Sequence, residues 1–186
     1  MKEITFQIRD SFKIITTMKK LLTLLSIIML SYGCQNQTST TSNPNQVGTI
    51  EADDSKSIAA RDFSNAYTSN NLLSAKSLFT EDAVFKINDA EMSFDDMAAG
   101  FTVGHNFFDN IRNDDKHIYT MHYDNGDNAG KTFTNMWYVW KGIRKDNGEE
   151  LVIKGYAYFA WRGDKVYEMY NAFDPTLYTQ AILEQQ

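Results

Sequence analysis

Proton transfer and metal binding call on histidine, cysteine or paired carboxylates, and this 186-residue chain holds them sparsely. It has one cysteine, Cys34, and three histidines, His105, His117 and His122. His117 and His122 lie five apart in a run of strand-forming residues, so their side chains leave opposite faces and cannot share an ion. Asp124-Asn125-Gly126-Asp127-Asn128 offers oxygen ligands, but it lacks the later bidentate glutamate of a calcium loop, and a hairpin turn accounts for it. With no compact His/Asp/Glu cluster, the pattern predicts no metal and no cofactor. Two groups stay as acid–base candidates. His105 falls on an apolar helical stripe with Met97, Phe101 and Phe108, where it is either a satisfied core histidine or a proton carrier. Asp174 stands before Pro175, where a turn or helix cap is the simpler role.

Cys34 belongs to a different pattern. Lys19 and Lys20 open an apolar stretch of about a dozen residues that ends at Gly33, the layout of a secretory signal and too short for a comfortable membrane span. A cysteine directly after Gly33 resembles the lipobox of bacterial lipoproteins, with the usual leucine displaced by one position, at Leu30. Residues 1–33 are therefore expected to be a signal peptide, whose pattern needs nothing before Met18, and Cys34 the lipidated residue. Lipidation would leave no free thiol for catalysis. Removing residues 1–33 moves the formal charge from −6 to −9, which repels phosphate backbones; no nucleic-acid partner is expected. Gln35 rather than aspartate follows Cys34. By resemblance to lipoprotein sorting signals, this implies an outer-membrane anchor with the domain facing the periplasm.

Residues 34–54 are polar and almost free of large apolar side chains, which reads as a flexible tether. Residues 55–186 suit one domain. Ile58, Ala59, Phe63, Ala66 and Tyr67 recur at helical spacing over Ser55 to Ser69. A short helix is expected at Asn71 to Leu78, then a strand from Ala83 to Asn88. A third helix starts at Ser93, a good N-cap with Asp95 and Asp96 behind it, and is expected to run to Ile111. Four aromatic-rich strands follow: His117–Tyr123, Lys131–Arg144, Glu150–Trp161 and Val166–Phe173. Tight turns separate them, as in an antiparallel meander. The expected class is α+β, a curved antiparallel sheet wrapped around three N-terminal helices.

This order resembles the nuclear-transport-factor-like superfamily, which includes SnoaL-like polyketide cyclases and ketosteroid isomerase. The segment Leu78-Phe79-Thr80-Glu81-Asp82-Ala83-Val84-Phe85, the hairpin Phe159-Ala160-Trp161-Arg162-Gly163-Asp164-Lys165-Val166 and the end Phe173-Asp174-Pro175 carry the likeness. The resemblance implies a cone with an internal pocket. It does not carry the chemistry across. The isomerase's tyrosine donor falls at Phe63, its base at Ile87 and its acidic donor near Ala157, all apolar. The cyclases' acid/base aspartate falls at Asn171, which can orient an oxygen but cannot act as a base.

What remains is a pocket expected to be lined by Phe63, Tyr67, Ile87, His105, Ala157, Phe159, Met169, Asn171 and Phe173, taking a small hydrophobic molecule. Two alternatives stay open. One is an enzyme of isomerase, cyclase or hydrolase type that uses His105, Asn171 or Asp174. The other is a dimeric interaction module, since the aromatic surplus leaves material for a homodimer through the sheet.

Overall fold

Alternation of apolar and polar residues dominates the second half of the chain, and it builds the sheet. The computed structural model describes residues 47–186. The expected signal peptide, Cys34 and the start of the tether lie outside the described residues. No helix among those described is long and apolar enough to cross a membrane. Seven strands form one curved, unclosed sheet: β1 (Gly48–Glu51), β2 (Phe79–Ile87), β3 (Ala90–Met92), β4 (Phe108–Tyr123), β5 (Thr132–Arg144), β6 (Glu150–Arg162) and β7 (Lys165–Phe173). Their spatial order is β1-β4-β5-β6-β7-β2-β3. Helices α1 (Ser55–Thr68), α2 (Phe94–Phe107) and α3 (Thr176–Leu183) complete the domain, with a 3₁₀ turn at Leu72–Leu78.

The α+β class and the four-strand meander follow the sequence. Several boundaries do not. The sheet is mixed, because β2 runs parallel to β7. Beyond the three helical segments expected before the meander, the second of them the 3₁₀ turn, a further helix, α3, follows the sheet. The expected tether gives way at Gly48 to β1, which pairs with the end of β4. The third expected helix stops at Phe107, four residues short of Ile111, and β4 begins at once. The polar run Asp109–Lys116 is divided by the sequence reading between the end of that helix and the stretch before His117. It lies within β4 because Asn110 and Asp115 take left-handed φ angles of 50° and 46°, and the register with β5 shifts at each. Such bulges bend a strand and sharpen its twist.

Inward-facing residues align in rows across the strands. Met136, Ala157, Asn171 and Ile87 are direct neighbours on β5, β6, β7 and β2. Thr134, Phe159, Met169 and Phe85 form the next row, and Tyr138, Gly155 and Phe173 flank the first row on its other side. Phe63 of α1 packs edge-on against Phe159 and Phe79, at 5.4 and 5.7 Å between ring centres, which seats the helix in the sheet.

Where β1, α1 and β4 meet, the core is polar and fully paired. Asp54 caps α1, accepting from the Ser57 amide at 2.9 Å. Thr120 donates to Asp54 Oδ1 at 2.9 Å and lies 2.9 Å from Ser57 Oγ and 2.8 Å from Thr134 Oγ1. Trp161 Nε1 donates to Thr134 at 2.8 Å. Burial pushes the Asp54 carboxyl up, but the hydrogen bonds from Ser57 and Thr120 outweigh it and hold the group below its ordinary 3.8. A depressed carboxyl stabilises the fold above its unfolded pKa, and that contribution fades as pH falls through the folded one. Asp54→Ala is expected to cost about 1–2 kcal/mol at neutral pH by loss of the cap. In urea titrations, the gap between the wild type and Asp54→Asn should narrow as pH drops below 3.8. A gap independent of pH would contradict this assignment.

Candidate functional site

The concave face of the sheet does not pack solid against the helices. Between them lies a cavity of about 320 Å³. α1 contributes Phe63, Ser64 and Tyr67; α2 contributes Met97, Gly100 and Phe101; Ile87 and Met92 come from β2 and β3. The sheet adds Asn113, Met136, Tyr138, Trp140, Ile153, Ala157, Met169, Asn171 and Phe173, and Pro175, Tyr178 and Thr179 close one side. No lysine, arginine, aspartate, glutamate or histidine is among them.

Several polar lining groups are bonded to one another or to a neighbour. Tyr138 Oη donates to Asn171 Oδ1 at 2.7 Å. The side chain reaches across β6 because residue 155 is glycine; a Cβ there would overlap the tyrosine ring. Trp140 Nε1 donates to Tyr67 Oη at 2.8 Å, and Asn113 Nδ2 donates to Ser64 Oγ at 3.0 Å. These two bonds link α1 to the sheet. Tyr178 stacks on Phe108 with ring centres 5.4 Å apart, and its hydroxyl fits beside Gly104, where a Cβ would collide with it. Burial pushes the Tyr138 and Tyr178 hydroxyls up to about 12. It raises Tyr67 further, with the neighbouring Tyr178 adding to the effect. All three stay protonated at neutral pH and act as neutral hydrogen-bonding groups.

Of the nine residues expected in the pocket, seven line the cavity: Phe63, Tyr67, Ile87, Ala157, Met169, Asn171 and Phe173. Phe159 lies in the packed layer behind it, fully buried against Phe63. His105 also stays outside. Its Nε2 lies 2.9 Å from the Tyr67 carbonyl oxygen and its ring packs edge-on to Tyr67 at 5.6 Å. Burial lowers its pKa, so the neutral ring donates to that carbonyl and fixes the end of α1. Asp174 is exposed and accepts from the Thr176 amide at 2.9 Å; that bond holds its carboxyl low. The acid–base candidates His105 and Asp174 are therefore not brought into the cavity. Phe63, Ile87 and Ala157, where isomerase groups would stand, do face it. Their polar neighbours do not substitute: Asn88 accepts from the Phe173 amide, and Tyr156 points to the outer face, bonded to Asn135.

Sequence reasoning missed Tyr138, Trp140 and Tyr178 as lining groups. The first two share the alternation of Met136 and are legible once the inward face of β5 is fixed. Tyr178 belongs to a helix that reading did not place. Among the described residues, Glu51, Asp54 and His122 bring potential metal-ligand atoms within 4.8 Å of one another, a juxtaposition the sequence does not announce. Asp54 is already committed to Ser57 and Thr120, and the positive end of α1 beside it opposes a cation.

No family model and no curated protein matches the chain. Solved structures do. IdmH, a candidate polyketide cyclase from Streptomyces antibioticus, superposes with a TM-score of 0.52 at 15% identity, covering 69% of this chain and 99% of that one. A candidate polyketide cyclase from Xanthomonas campestris pv. campestris gives 0.51 at 13% identity, over 67% of this chain and 93% of its own. AclR, a candidate hydroxylase from Streptomyces galilaeus, gives 0.51 at 14%, over 67% and 92%. At such identities the likeness is one of fold, not of activity. In fold, the chain is similar to these solved structures, two of them candidate polyketide cyclases.

Proposed function

We propose that this protein is a lipid-anchored binding domain that holds a small hydrophobic molecule in its cavity and does not perform ketosteroid-isomerase chemistry. One observation carries the reading: a cavity of about 320 Å³ whose lining is apolar, aromatic or amide, with no carboxylate or histidine. Apolar concavities of this kind with a few oriented polar groups are the usual form of small-molecule sites. An enzyme of the same fold would need a proton carrier at the ligand. His105 and Asp174 are spent on the backbone elsewhere, which favours binding over catalysis.

Gly100 provides the direct test. It lines the cavity from α2, and a Cβ there meets nothing within 4 Å, so a side chain can leave the helix at this point and add bulk at the cavity. Gly100→Phe is expected to weaken binding of the neutral dye Nile red at least roughly tenfold while leaving thermal stability unchanged or higher, since glycine is a poor helix residue. Absence of dye binding by the wild type would defeat the reading.

The anchor is proposed from Cys34 and its leader. Cells expressing the full chain should incorporate labelled palmitate into it, and Cys34→Ser should abolish the label. Labelling that survives the substitution would remove the anchor.

A second contact is supported by the outer face of the sheet. There Trp137 is 52% exposed, stands 4.5 Å from the Tyr156 ring, and continues into the stacked pair Tyr158 and Tyr170. We propose that two copies pair through this face, burying the aromatic strip. Sedimentation should give a dimer that Trp137→Lys converts to monomer with its circular dichroism intact. A monomeric wild type would exclude it.

A further inference from the structure

Within the binding reading above, on which this step rests, the unspent hydrogen-bonding capacity of the lining specifies the ligand. Asn171 is buried at 6% exposure in the centre of the cavity floor, between Ala157 and Ile87. Its Oδ1 is taken by Tyr138, and among the described residues its Nδ2 has no protein partner. Tyr67 accepts from Trp140 Nε1, which leaves its own hydroxyl proton to give. The Tyr178 hydroxyl, turned toward Gly104, has no protein acceptor among the described residues either. The lining thus presents neutral donors seeking an oxygen and one buried, unpartnered acceptor, Asn113 Oδ1, which a ligand hydroxyl can satisfy, in a wall that otherwise offers aromatic rings, aliphatic side chains and methionines.

Charge is excluded by the same inventory. An ionised carboxylate or ammonium buried here would find no counter-ion, and burying an unpaired charge is far costlier than burying a neutral oxygen that accepts one or two hydrogen bonds. The tyrosines cannot help, because they remain protonated. We infer that the cavity selects an uncharged ring-bearing alcohol, phenol or ketone whose oxygen docks at Asn171 Nδ2, and rejects carboxylates and amines of the same shape.

Four naphthalene probes of matched shape test this on the full chain: 2-naphthol, 2-methylnaphthalene, 2-naphthoate and 2-naphthylmethylammonium, each titrated calorimetrically and by displacement of Nile red. 2-Naphthol should bind about tenfold more tightly than 2-methylnaphthalene, the worth of one hydrogen bond to a buried amide. Both ions should bind at least roughly a hundredfold more weakly than 2-naphthol. Asn171→Leu, close in volume, should erase the preference for 2-naphthol while 2-methylnaphthalene binds as before. Tyr138→Phe serves as a milder second variant, freeing the amide to rotate and reducing the preference without removing it.

Equal binding of 2-naphthoate and 2-naphthol overturns the inference, and so does a preference for 2-naphthol that survives Asn171→Leu. In both cases 2-methylnaphthalene and Nile red still bind, so the cavity reading stands. If none of the four probes and no dye binds, the cavity reading fails and this inference falls with it.

Discussion

Everything at the site depends on the register of β5, β6 and β7. Side chains on a strand alternate, so one slipped residue would exchange the whole inner set for the outer one. With the register as it is, Met136, Ala157, Asn171 and Ile87 form a single row, and Tyr138 lies opposite Gly155. Glycine at 155 is what allows the tyrosine to lie across its strand and meet the amide on the next one. The contact is local, yet it joins three strands at the cavity floor. It fixes which end of Asn171 stays free.

The helices then decide how much of that floor stays open. α1 is tied to the sheet twice, by Ser64 to Asn113 and by Tyr67 to Trp140, and its far end is held by His105. The aromatic packing of Phe63, Phe79, Phe85 and Phe94 fills the region beneath β2. Polar pairing does the same work at the β1 end, through Asp54, Ser57, Thr120 and Thr134. The cavity remains between two well-packed regions, one aromatic and one hydroxylic. An interior with native packing density leaves few such spaces by accident.

Much of this was legible before any coordinates. The period-2 alternation of the aromatic strands and the Asp/Asn/Gly turns between them fixed the meander, and Ser93 with Asp95 and Asp96 marked the start of α2 correctly. The apolar residues Phe63, Ile87 and Ala157 at the cavity were also readable, because their alignment by resemblance needs only residue types. What escaped was set by tertiary pairing. β1 and β3 are too short to show a period, and the parallel union of β2 with β7 involves residues some eighty positions apart. His105 sat on the correct stripe, but the stripe does not say that Tyr67 stands between it and the cavity. The start of β4 escaped for a physical reason: the sequence pattern runs the helix to Ile111 and begins the strand at His117, whereas bulges carry the strand through the polar run from Phe108.

Those bulges bear on how copies of the domain can meet. β1 pairs only with the last four residues of β4, Thr120 to Tyr123, so among the described residues most of that long strand borders the sheet with no strand beyond it. A straight apolar border would invite another chain to add itself, strand upon strand, without limit. Here the border is interrupted at Asn110 and Asp115 and studded with Asp109, Arg112, Asp114 and Lys116, while the opposite border is the three-residue β3. Neither of these margins therefore offers a long, straight template for strand addition, and the exposed Trp137 ring lies on the outer face of the sheet instead.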